Sequence, residues 1–105
     1  MIKRLTVTAR TIPDGAPFAV TGRAAQTLLT LSGKGAKGIT VFDFPGGVGF
    51  RLAAYIHLLK TQNGLAIEIS REPHNGGSHG RWYLRSNVEI IAIDDLAKQT
   101  MAVAA

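Results

Sequence analysis

From Ile2 to Arg10 apolar and polar residues alternate, with Leu5, Val7 and Ala9 on one side, which is the period of a strand. Thr11 to Phe18, with Pro13, Asp14-Gly15 and Pro17, reads as a turn-rich connection. The period then changes. Ala24, Ala25, Leu28, Leu29 and Leu31 fall at helical spacing, so a first helix is predicted over Arg23 to Leu31, with Thr21 as its N-cap and Ser32-Gly33-Lys34-Gly35 as its end. In Gly38 to Gly47, Thr40 is placed to cap a short second helix, although Val41 and Phe42 are poor helix formers and also suit a strand. Pro45 to Gly47 is predicted to turn, and Val48 to Gln62 to form a third, amphipathic helix. Leu52, Tyr55, Ile56 and Leu59 share its apolar face, while Arg51, Ala54, His57, Leu58 and Thr61 share the other. Asn63-Gly64 ends it.

Leu65, Ile67 and Ile69 alternate with Ala66, Glu68 and Ser70, a half-buried strand. Glu72 to Gly80 is rich in glycine and polar residues and is predicted to be a long loop. Arg81 to Arg85 returns as a second strand, with Trp82 and Leu84 facing away from Arg81, Tyr83 and Arg85. Val88 to Ile93 suits a further strand or a buried connection, and Asp94 to Ala105 a short helix capped by Asp94 or Asp95.

Charge adds a direction to this outline. The 105 residues carry Lys+Arg 12 against Asp+Glu 7, a net charge of +5. Met1 to Asn87 holds eleven basic and four acidic residues, and the remaining tail is slightly acidic. A basic body with an acidic tail points to a polyanionic partner, nucleic acid being the simplest. Hydrophobic residues make up 46% and charged residues 18%, which argues against disorder. The absence of cysteine excludes disulfides, thiolate metal sites and cysteine nucleophiles. No apolar run reaches the roughly 18 residues of a membrane span, and the basic opening lacks the apolar core of a secretory signal. The expectation is a soluble, cytoplasmic, nucleoid-associated protein.

Helix, short helix, turn, amphipathic helix and glycine-tipped hairpin follow one another in the order of a winged helix-turn-helix. Gly38-Ile39-Thr40, the helix Arg51-Leu52-Ala53-Ala54-Tyr55-Ile56-His57-Leu58-Leu59-Lys60, the strand Gly64 to Ile69 and the run His79 to Leu84 resemble the small winged-helix domains of bacterial and phage proteins. The resemblance covers Thr21 to Arg85. It departs from the family pattern at Pro45-Gly46-Gly47-Val48-Gly49, which is more flexible than the usual tight turn. It implies an α+β winged helix-turn-helix: a three-helix core plus a hairpin wing over residues 20–86, within one domain of 1–105. Residues 1–19 add a strand and turn, and 88–105 a strand and helix tail.

The resemblance further implies a non-catalytic protein that binds double-stranded DNA and resembles small transcription regulators or phage and chromosome-associated proteins. The third helix would bind DNA with Arg51, Ala54, Tyr55 and His57 facing the groove and Lys60, further along, suiting the backbone. The wing would meet the backbone through Arg71, His74, His79, Arg81, Tyr83 and Arg85. Lys34 and Lys37, between the first helices, would add phosphate contacts. Each basic residue has a plainer reading: Arg51 paired with a carboxylate such as Asp43, Lys60 favouring the helix C-terminus, Arg81 and Arg85 solubilising a sheet face opposite Glu68. The alternative function is a protein-interaction module using Leu58 and the Met101–Val103 tail. A homodimer through the first strand or the tail is compatible with both readings.

Other chemistry is set aside. Gly33 to Thr40 lacks the Gly-Lys-Ser/Thr succession of a phosphate-binding loop. His57, His74 and His79 have no ligand spacing for a metal, and Ser78-His79 has no orienting third group. Neither an enzyme, a cofactor, a metal nor a small-molecule substrate is expected.

Overall fold

The computed structural model describes residues 5–44, 50–74 and 76–95. Its strands and α-helices run in the order β1 (Leu5–Thr11), β2 (Phe18–Thr21), α1 (Gly22–Lys34), α2 (Leu52–Gln62), β3 (Ile67–His74), β4 (Gly77–Leu84) and β5 (Val88–Asp95). β2, β1 and β5 form an antiparallel sheet in that order, and β3 and β4 form the hairpin.

The predicted inner face of β1 is real: Val7 and Ala9 are fully buried. Opposite them stand Val20 and Phe18 of β2 and Ile93 and Ile90 of β5. The connector from Thr11 therefore ends at Pro17, because Phe18–Thr21 pairs with β1 as a strand. β5 also outruns its prediction. Asp94 and Asp95 pair with Thr6 and Leu5 as its last two residues, where the sequence predicts the start of a helix. Residues 96–105, which hold the rest of that predicted helix and the Met101–Val103 patch, lie outside the described residues. With β1 between two neighbours, both its edges are occupied, so it offers no edge for a dimer.

α1 buries Ala25, Leu28 and Leu31 against this sheet and α2. Its buried Thr27 hydroxyl is satisfied by donating to the Arg23 carbonyl at 2.8 Å. Thr21 holds the N-cap position, though its side chain makes no capping bond. α2 returns Leu52, Ile56 and Leu59 to the same core, as its spacing predicts. Fully burying a leucine such as Leu28 or Leu59 stabilises by about 1.5–3 kcal/mol.

The three-helix core is not found among the described residues. The second helix is a single 3-10 turn, Val41–Asp43, preceded by another at Gly35–Lys37. Thr40 does cap it: its hydroxyl accepts from the Phe42 N–H, and the Asp43 carboxylate accepts from the Thr40 N–H at 2.8 Å. Val41 and Phe42 do not propagate it, and the chain is extended again at Phe44. The third helix begins at Leu52 rather than Val48, with Arg51 as its N-cap in a left-handed conformation, φ 62 and ψ 43. The predicted turn at Pro45–Gly47, and Val48, lie outside the described residues.

The wing is seated on the body by Ile39, which exchanges two backbone hydrogen bonds of 2.9 Å with Trp82. Gly38 makes this approach possible. It holds φ +69, and a Cβ there would lie 2.8 Å from the Trp82 carbonyl oxygen and from the Tyr83 ring. Trp82 and Leu84 pack against the core, as their facing predicts. Ile69 does not: it is 52% exposed, lying with Trp82 beyond the last buried residue of β3. The long loop is also corrected. Pairing continues to His74 opposite Gly77, leaving two residues between the strands, and Gly76 carries φ +90. Asn-Gly is a favoured sequence for a two-residue hairpin turn.

Candidate nucleic-acid interface

The outer face of α2 is built by exclusion. With Leu52, Ile56 and Leu59 buried, the helical period turns Ala54, His57 and Thr61 fully outward, and Ala53 and Lys60 flank them; all five are exposed. This strip carries few long side chains near its start, so the helix backbone can approach a partner closely. Leu58 borders it and, with Ala24, Thr21 and Gln62, lines a shallow depression of about 200 Å³. Arg51 stands at the strip's N-terminal end, exposed and without a carboxylate partner among the described residues. Asp43 is paired with Lys34 at 3.7 Å, not with Arg51.

Tyr55 departs from its predicted groove-facing place. It is half-buried, packs on the core and meets the Phe50 ring edge-on at 5.3 Å. Phe50 in turn stacks on Phe44, centroids 4.1 Å apart. This aromatic stack fixes the entry to α2, and the Arg23 guanidinium lies 5.5 Å over the Phe50 centroid. Arg23 is missed by motif matching. The signal for it is compositional: it is the one charged residue between Gly22 and Gly33, at the start of a helix whose other charge, Lys34, lies at the far end.

The wing residues do not form one cationic surface. Register puts Arg71 opposite Gly80, on the face of Ile69 and Trp82, whereas His79, Arg81 and Tyr83 share the other face with Glu68 and Glu72. On that second face the cations are paired. Arg81 Nε donates to Glu72 at 2.6 Å, His79 Nε2 lies 3.3 Å from the same carboxylate, and Arg85 Nε donates to Glu68. Arg81 also donates to the Lys37 carbonyl at 3.1 Å, and Arg85 lies over the Tyr83 ring at 5.1 Å. Arg81 and Arg85 are thus ion-paired within the hairpin, because period-two register brings glutamates to the same face. Glu72 is held below its ordinary pKa, first by the Arg81 hydrogen bond, which outweighs the opposing effect of desolvation, and then by the nearby Arg81 charge and His79. Arg81 is raised by the same bond.

Arg71 is exposed and has no carboxylate partner among the described residues; Lys37 and Lys60 are likewise unpaired there. His74 ends β3 opposite Gly77. Among the described residues no group of three or more His, Asp or Glu is gathered for a metal, and no helix is long and apolar enough to cross a membrane.

A family profile described as a winged helix domain matches residues 17–94, from the start of β2 through most of β5. No curated protein and no solved structure gives a significant match.

Proposed function

As this chain belongs to the winged helix domain family, we propose that it binds double-stranded DNA through the outer face of α2 and performs no catalysis. A helix about 10–12 Å across fits the major groove. The observation that carries the reading is Arg51: exposed, free of any carboxylate among the described residues, and at the end of the helix that reaches deepest into a groove in helix-turn-helix docking. Ala54 and His57 follow it along the strip, and Lys60 suits the flanking backbone. Arg71 and Lys37 are the further cations available for phosphate. The paired Arg81, Arg85 and His79 have the task of holding the wing. In the cell, the role this supports is that of a small transcription-regulator-like or chromosome-associated protein.

Fluorescence anisotropy of the full chain against a random duplex, at two salt concentrations, tests this. Binding should weaken steeply with salt, with a log–log slope of about −0.9 per phosphate contact. Absence of binding at low salt would overturn it. One observation favours a second reading, a protein-docking module: Ile91 and Ile93 of the edge strand β5 are 48% and 57% exposed. That surface is compatible with self-association of a DNA-binding chain, so the two readings part on the duplex titration.

A further inference from the structure

We propose that Arg23 and Arg51 form a two-pronged phosphate clamp astride Phe50, gripping the backbone of a DNA duplex where α2 enters the groove. The proposal rests on the DNA-binding reading and names a contact outside α2 and the wing. Phe50 is 2% exposed and locked between Phe44 and Tyr55, so it is a fixed platform. The Arg23 guanidinium covers its ring at 5.5 Å and remains exposed. A guanidinium attracted to a ring keeps its N–H donors, and these can meet a phosphate with two parallel hydrogen bonds. A cation already steered by a ring also loses less freedom when it binds.

Arg51 follows Phe50 directly in the chain, and its left-handed backbone is a conformation that a residue with a side chain seldom adopts. Neither arginine has a carboxylate partner among the described residues. Arg10, Arg81 and Arg85 each have one. Two of the described cations that lack a carboxylate partner thus belong to the start of α2 and come from elements far apart in sequence, Arg23 lying over the Phe50 ring and Arg51 following Phe50 in the chain.

The test is a salt series of anisotropy titrations on a random duplex with wild type, Arg23→Ala, Arg23→Gln and Arg10→Ala. The clamp predicts that Arg23→Ala lowers the magnitude of the log–log salt slope by about one and weakens low-salt affinity on the order of five- to tenfold. Arg23→Gln, which keeps the aliphatic stem over Phe50, should lose the same slope, and it supplies the reading should the alanine variant unfold. Arg10→Ala removes an equal charge from the β1–β5 sheet and should retain the wild-type slope. If wild type binds with a salt dependence that both Arg23 variants share, the clamp is overturned and the DNA-binding reading stands. Equal losses in Arg10→Ala would reduce the effect to net charge and overturn the clamp as well. No binding by wild type would overturn both.

Discussion

The Glu72 carboxylate accepts a hydrogen bond from Arg81 at 2.6 Å, diagonally across the wing, while its other oxygen faces His79, its direct cross-strand partner, at 3.3 Å. One carboxylate thus engages two of the wing's basic side chains. Through the bond from Arg81 to the Lys37 carbonyl, it also ties the hairpin to the segment between the helices. The wing of this protein is braced by its own ion pairs.

This brace has a pH signature. The folded-state pKa of Glu72 is depressed from 4.5, so the unfolded chain binds that proton more readily. The stabilisation is therefore complete above the ordinary carboxylate range and is lost as pH falls through the depressed value. Glu72→Gln should melt below wild type at pH 7, and the difference should shrink as the pH is taken well below 4.5. Thermal melts across pH measure it, and a gap that stays constant into strong acid would contradict the assignment.

Arg51 offers a separation of stability from function. A non-glycine residue at φ 62 stores backbone strain that glycine does not. Arg51→Gly should stabilise the fold by about 0.5–1 kcal/mol in denaturant titrations while weakening duplex binding. Loss of stability in this variant would mean that the Arg51 side chain supports the fold.

Gly38 should tolerate no side chain. Alanine there meets the Trp82 carbonyl at 2.8 Å in a left-handed conformation, so Gly38→Ala is expected to destabilise by about 2 kcal/mol or more. A shift of the single Trp82 fluorescence with the melt would locate the damage at the seat of the wing.

Thr40→Ala removes the hydroxyl that accepts from Phe42, and the cost expected is about 0.5–2 kcal/mol by chemical denaturation. A neutral outcome would show that the Asp43 half of the capping box suffices.

The two long helices, the inner face of β1 and the cap at Thr40 were legible in the sequence because each rests on local periodicity or on contacts within one turn. β2 was not, because four residues after Pro17 carry too little period, and β1 supplies their pairing. The Glu72–Arg81 pair was hidden for a different reason. With Glu72 to Gly80 read as a loop, no register links the strands; once Asn75-Gly76 is read as a two-residue turn, period-two counting puts Glu72 opposite His79 and beside Arg81. The glycines at 76, 77 and 80 interrupt the alternation that would have exposed this. Arg23 reaches Phe50 only through tertiary packing, so no spacing along the chain reports their contact.

The central claim is that unpaired charge at the start of α2 carries DNA binding and that paired charge on the wing does not. Salt-dependent duplex titration of Arg51→Ala beside the charge-balanced double variant Glu68→Gln/Arg85→Gln tests it most directly. Arg51→Ala should weaken binding by about 1–3 kcal/mol and lower the magnitude of the salt slope by about one, while the double variant binds as wild type. Wild-type binding by Arg51→Ala, with loss in the double variant, would contradict it.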